Sequence, residues 1–486
     1  MQLKRGEVVT VDITGYAFGG RGIAKIPTEN GDYVIFVDNT FPGQKAKARI
    51  TKKKKRFAEA KLIDVVERSP IEVISDFQEI SGGPYIYVPI EEQEKEKKES
   101  TLEVIRRIGG VPDPYTVFDE FISSPEHFFY RNKMEYSFSC IEHDRTTGED
   151  IDDAFALGFK RRGTWWKVES LDNPSGMFDE HWETILIEIR QFLKESGLPA
   201  WHPPGKYGFF RHIVVRKSFH QDQLLLNLVT SSDGIENFDA QAFSQFLQEK
   251  LGNRLAGLQH TINDNVADRA KIENGTCTLL YGEPIVIEQL LGLNFEISME
   301  SFFQTNPKSA EKLYTKALDY VWEGDLNPDD VVMDLFCGTG TIGQILASKM
   351  NEERSDSCRI VGVDIVEEAI EDAKRNAENN GIEGIEFYAA VVGKFLNQYP
   401  DFVGKIKTII LDPPRAGIAP KTLQKVINLG AKHIVYISCN PSTQARDMDT
   451  LIAAGYEVNK ISLVDQFPHT GHIESIAKFT KTDGAQ

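Results

Sequence analysis

Between residues 302 and 474 the chain spaces out carboxylates, a thiol and close-set glycines in a pattern that suits chemistry on a nucleotide. A strand-like VVMDLF (331–336) runs into Cys337-Gly338-Thr339-Gly340-Thr341-Ile342-Gly343, which matches GxGxxG. Asp364 follows 21 residues after the last glycine, at the end of the next strand-like stretch, RIVGVD (359–364). Glycines there let a ligand lie against the backbone, and the acid can accept both hydroxyls of a ribose. A nicotinamide-dependent dehydrogenase would show the same two features. Asp334, just before the glycine turn, shifts the balance. A carboxylate there can face an ammonium or order the loop, but beside a pyrophosphate it is unhelpful. Asp412-Pro413-Pro414-Arg415, at the tip of a third strand, stiffens the chain at the same edge. Together these residues favour S-adenosylmethionine over a dinucleotide.

A fourth strand-like stretch, HIVYIS (433–438), ends in Cys439-Asn440-Pro441. A lone cysteine at a strand end is usually an inert, buried one. Its place on the ligand edge of a sheet gives it a use: a thiolate adding to carbon 6 of uracil makes carbon 5 nucleophilic enough to take a sulfonium methyl. A base must then remove the carbon-5 proton. Glu474, in His472-Ile473-Glu474-Ser475, is the candidate, against the plain alternative of a strand-end carboxylate.

The elements that must hold these groups are legible along the chain. From about residue 300, VVMDLF, RIVGVD, KTIILD (407–412) and HIVYIS alternate with helical stretches such as 366–380, which predicts a doubly wound α/β, Rossmann-like domain with a mostly parallel sheet. Residues 1–67 read as five short strands with basic loops and turns at Asn30-Gly31-Asp32 and Pro42-Gly43, an OB-like β-barrel. A glycine-rich loop, Gly19-Gly20-Arg21-Gly22, follows the first strand. Residues 68–299 form a central α+β region with a charged helix near 91–109 and a helix near 239–252. Aromatics and bases interleave there at Phe128 to Arg131 and Phe159 to Lys167, suited either to stacking on unpaired bases or to a strand burying one aromatic face.

Charge and length agree with this division. The 486 residues fit about three domains. The net charge is −18, yet residues 1–67 carry net +5, so the acidity lies elsewhere. Attraction to phosphate is local, because exposed charges are screened beyond roughly 8–10 Å. No run approaches a membrane span, no signal-peptide core follows Met1, and five cysteines without CxxC spacing argue against a disulfide scaffold or zinc finger. A cytoplasmic chain is expected.

At these residues the sequence resembles the S-adenosylmethionine-dependent RNA uracil-5-methyltransferases, over nearly its whole length and especially their 23S rRNA branch. The order FFQTN (302–306), DLFCGTG (334–340), DPPR (412–415), SCNP (438–441) and HIE (472–474) carries the resemblance. It implies that residues 1–67 are a TRAM domain. It also implies that Gln304, Asp334, Phe336, Gly338, Gly340, Thr341, Asp364 and Asp412 surround S-adenosyl-L-methionine. Cys439 is then the nucleophile and Glu474 the proton-abstracting base. The implied partner is RNA, 23S rRNA in that branch, bound by a monomer away from any membrane. Cytosine-5 methylation, a tRNA substrate and a non-catalytic RNA-binding assembly factor are the competing readings.

One departure stands out. Many rRNA members hold an iron–sulfur cluster on four cysteines. Here Ser75 or Asp76, Ser81, Pro84 and Asn173 occupy those places. None can replace a thiolate ligand. No cluster and no metal are expected, and ordinary packing must hold the central region.

Overall fold

The computed structural model describes residues 3–28, 31–266, 275–324, 326–353 and 358–482. Asn30 of the expected turn lies outside them.

The N-terminal sheet has six strands, one more than expected. The addition is Gly15–Ala17, which pairs antiparallel with Arg21–Thr28 through Ala17 opposite Arg21. The glycine-rich loop is therefore a tight hairpin turn, Phe18-Gly19-Gly20. Gly19 and Gly20 sit at φ +81° and +77°, a region costly for other residues. Strand alternation places Val9, Val11, Ile35, Val37, Ala46, Ala48 and Ile50 inside; Lys52 to Arg56 are all exposed, the first two ending a strand and the rest forming the turn.

The central unit is a nine-stranded sheet covered by helices Glu180–Glu195 and Ala240–Leu251. Trp182, Ile189, Leu193, Phe243 and Leu247 pack with the sheet's Tyr136, Ile213 and Leu226. The two segments that carry Ser75–Pro84 and Asn173 are joined by one side chain. Gln78 donates from Nε2 to Ser170 O at 2.8 Å and accepts at Oε1 from Asp172 and Asn173 N–H at 2.9 and 3.2 Å. Of the interleaved bases, Arg161 crosses the seam with the N-terminal sheet to pair with Asp64 at 3.0 Å, and Arg162 pairs within the central unit with Glu79 at 2.7 Å. Tyr130 is buried, while Trp165 stays exposed.

In the C-terminal unit, parallel strands run in the order Ile385–Ala389, Arg359–Asp364, Val331–Leu335, Ile406–Leu411 and His433–Ser438. Antiparallel strands Glu474–Lys481 and Tyr456–Val464 continue the sheet. The near-continuous apolar runs follow from burial on both faces. One face packs Met333, Leu411 and Tyr436 with Met448 and Leu451; the other packs Val332 and Ile437 with Leu313, Ile342 and Leu346.

The boundary at 299/300 does not divide the cores. Strand Phe118–Ile122 joins the far edge of the C-terminal sheet, parallel to Tyr456–Val464. The charged helix, Ile90–Ile108, lays Leu102 and Ile105 into the same core as Met448 and Leu451. Its apolar side chains come late in the helix and find apolar partners there. The hairpin Ile285–Leu290/Leu293–Ser298 also buries Phe295 and Ile297 with Leu313 and Ala317.

Candidate active site

All the parallel strands end at one edge, and the residues singled out in the sequence meet there. Asp364 accepts at Oδ2 from the Gly338 N–H at 3.0 Å and at Oδ1 from the Val366 N–H at 2.9 Å. Asp334 is buried and accepts at Oδ2 from the Gly343 N–H at 3.0 Å, so it orders the loop. Its Oδ1 is also buried and has no hydrogen-bond partner. Burial, helped by Asp412 and Asp364, pushes the Asp334 carboxyl up to about 8 against the Gly343 N–H. Burial alone pushes Asp412 up to about 7.

The glycines divide by task. A Cβ on Gly338, at φ +52°, would meet nothing within 4 Å, whereas one on Gly340 would strike the Phe387 ring at 2.4 Å. Gly338 thus faces open space and Gly340 serves packing. Thr341 opens the helix Thr341–Glu353. Phe336 sits at φ +63° with its N–H donating to Val363 O at 2.9 Å, a strained conformation for a bulky residue.

The thiol and the glutamate are brought together by sheet register. Ser438 pairs with Ser475 at the end of their antiparallel ladder. Cys439 follows Ser438 and Glu474 precedes Ser475, so the thiol and the carboxyl leave the ladder at the same end, close enough for Glu474 to act on the thiol. Asn440 then caps the helix Pro441–Ala453, accepting from the Ser442 N–H, and donates from Nδ2 to Arg415 O at 2.9 Å. That bond fastens the DPPR turn beside the thiol. Burial, with Glu474 and Asp412 nearby, raises the Cys439 thiol to about 11, and Arg415 acts the other way. Glu474 is raised well above the ordinary carboxylate range, chiefly by burial and then by Asp412.

Family models match this chain in two places: tRNA (Uracil-5-)-methyltransferase over residues 286–482 and the TRAM domain over residues 2–63. An uncharacterized RNA methyltransferase of Clostridium tetani is 34% identical over 99% of this chain and 100% of its own. Another, from Clostridium acetobutylicum, is 36% identical over 92% of each. The chain belongs to the S-adenosylmethionine-dependent RNA uracil-5-methyltransferases. A solved relative is the Pyrococcus abyssi tRNA (uracil-54, C5)-methyltransferase in complex with S-adenosyl-L-homocysteine. It is 25% identical, with TM-score 0.66, over 97% of this chain and 100% of that one.

The cofactor of this methyltransferase is S-adenosylmethionine, and the glycine edge fits it. The unpartnered Asp334 Oδ1 is an acceptor awaiting a donor, and Gly338 leaves room for a ligand to lie on the backbone. Among the described residues no group of three or more His, Cys, Asp or Glu is arranged to hold a metal, and no helix is long and apolar enough to cross a membrane.

Several residues of the methyltransferase site escaped the sequence reading. Asn306 caps the helix Pro307–Trp322 through the Ser309 N–H and donates from Nδ2 to Ser124 Oγ and Gln466 O, which fixes the Gln304 segment. The loop leading into Glu474 is gripped from outside. Lys97 Nζ donates to Asp465 Oδ1 at 2.8 Å and to Phe467 O at 3.1 Å; Gln93 Oε1 accepts from the His469 N–H at 2.8 Å. Tyr130 Oη donates to Pro468 O at 2.9 Å. In the sequence, Gln93 and Lys97 look like part of a solvated charge run. Tyr314, buried among Gln304, Asp412, Glu474 and Asp334, is an ordinary core tyrosine by sequence, and no signal marks it.

Proposed function

We propose that the protein methylates carbon 5 of a uridine in RNA, with 23S rRNA as the target, through a covalent bond between Cys439 Sγ and carbon 6. The observation that carries this reading is the convergence of Cys439, Glu474 and Asp412 at the strand edge that also bears Asp334 and Asp364. Carbon 6 is accessible only when the base leaves its stack, so the target is unpaired or flipped.

Burial, with Glu474 and Asp412 nearby, holds the thiol protonated. The thiol gives its proton to solvent water as sulfur bonds carbon 6, and the π pair of the carbon 5–carbon 6 bond becomes an enolate. S-adenosylmethionine supplies the electrophilic methyl when bound. Gln304, Phe336, Gly338, Gly340, Thr341, Asp364 and Asp412 would line its site, and Asp334 would meet its cationic end. Glu474 then takes the carbon-5 proton. The freed electron pair rebuilds the double bond as carbon 6 releases Cys439. A raised pKa makes the ionised Glu474 a stronger base for that step.

The test uses 5-fluorouracil-substituted RNA with S-adenosylmethionine. Fluorine cannot leave as a proton, so wild-type protein should stall as a denaturation-resistant adduct and Cys439→Ala should not. Absence of an adduct on RNA whose unsubstituted form is methylated would sink the thiol mechanism. The Pyrococcus relative favours a second target, tRNA, since it spans the barrel as well. Mapping the adduct on 23S rRNA and on tRNA transcripts decides between them.

A further inference from the structure

The barrel turn Phe18-Gly19-Gly20 does not stand clear of the catalytic domain. A Cβ on Gly471 would lie 2.3 Å from Gly20 Cα, and one on Gly20 would lie 3.1 Å from Gly471 Cα and 2.9 Å from Tyr85 Oη. Only two glycines permit backbones to approach so closely. The turn is backed by Tyr16, Phe41 and Tyr85, whose rings pack with centroids 5.5–6.2 Å apart. The Tyr85 N–H donates to His469 O at 3.1 Å, at the start of the loop that delivers Glu474.

This contact closes a cavity of about 330 Å³ that neither domain forms alone. Phe18, Gly19 and Arg21 make one wall; Cys439, Arg415 and His472 make the other. Its size suits a single nucleotide-sized guest rather than a strand. Arg21 is about half exposed and pairs with Asp38 at 3.3 Å. Such an exposed pair contributes little, so a phosphate can take over the guanidinium, whose fork matches two phosphate oxygens.

We infer that this barrel turn is part of the catalytic pocket, and that Arg21 holds a backbone phosphate of the nucleotide whose base faces Cys439. The inference rests on the reading that Cys439 acts on a uridine in RNA. The barrel is then a component of target selection as well as a tether. A base enters between the two walls while its phosphate stays at the rim, where Arg21 and Arg415 flank the opening.

The test compares full-length wild type, Arg21→Ala, Arg21→Lys and Gly471→Ala on 23S rRNA and tRNA transcripts. Arg21→Ala should lower kcat/KM roughly 10- to 100-fold, the worth of a charge-assisted contact. It should also flatten the slope of log affinity against log salt by roughly 0.7–0.9, one phosphate contact. S-adenosylmethionine binding and thermal midpoint should stay at wild-type values, and Arg21→Lys should recover part of the loss. Gly471→Ala, which pushes the turn away, should lose RNA methylation while keeping cofactor binding. An Arg21→Ala protein within twofold of wild type, with an unchanged salt slope, overturns the inference. So does a loss that follows the thermal midpoint. If wild type itself methylates neither RNA, the underlying reading has failed instead, and that control shows it before any variant is measured.

Discussion

Replacing Lys97 by methionine tests whether the charged helix holds the loop that carries Glu474 in place. The Lys97 and Asp465 side chains are 1% and 0% exposed, with Nζ 2.8 Å from Oδ1. Without the ammonium, Asp465 Oδ1 keeps only the Phe467 N–H at 3.2 Å, and Oδ2 already has no partner. Phe467 O loses one of its two donors and keeps the Thr470 hydroxyl at 2.8 Å. Stranding a buried carboxylate this way costs about 3–5 kcal/mol, whereas replacing both partners by apolar groups of similar size is close to neutral. For a unit of this size that is a fall of roughly 6–20 °C in Tm. Differential scanning calorimetry on wild type, Lys97→Met and the double variant Lys97→Met/Asp465→Leu would read it. The single variant should also lose methylation at temperatures where it is still folded, because Glu474 follows the same loop. A loss under about 2 °C in the single variant, or a double variant no better than the single, would refute this account of the helix.

Four further outcomes are expected. Asp334 and Asp412 are raised to about 8 and about 7, so a cationic cofactor must bind with release of protons. Its Kd should fall roughly tenfold per pH unit from pH 6 toward 7.5, and a pH-independent Kd in calorimetry would contradict this. The same shifts mean that these two carboxyls contribute stability to the cofactor-free protein that is present at acid pH, is lost as pH rises through 7–8, and is regained on cofactor binding. Glu474→Gln should form the carbon-6 adduct on natural RNA but release it roughly 10²- to 10⁴-fold more slowly; normal turnover would remove Glu474 as the base. Gln78→Ala removes three hydrogen bonds between two central segments and should cost about 2–4 kcal/mol. Urea unfolding of the central unit, followed by tryptophan fluorescence at Trp182, would measure it.

Much of this protein was set by local sequence alone. Four of the five parallel strands could be drawn nearly to the residue because burial on both faces leaves continuous apolar runs, and their glycine and Asp-Pro-Pro ends follow from backbone geometry; the edge strand Ile385–Ala389, less fully buried, was not read. The nucleotide edge was legible for the same reason: Asp334, the glycines and Asp364 sit within 31 residues of one another along the chain. The family was legible from the order of its motifs. What the sequence did not reveal depends on contacts between distant segments. Strand pairing, which no single strand encodes, brought the segment ends that carry Cys439 and Glu474 together across 35 residues. The helix at 90–108 reads as a solvated charge run, since its composition is dominated by side chains that usually face water. Only tertiary packing buries Gln93 and Lys97 against a loop nearly 370 residues away. By sequence the Gly19–Gly22 loop reads equally well as a phosphate-approaching loop or a plain wide turn. Its approach to Gly471 depends on two glycines meeting, and neither segment alone specifies the other. Local propensity and patterning are properties of neighbours in sequence, whereas a pocket built from two units exists only once both have packed.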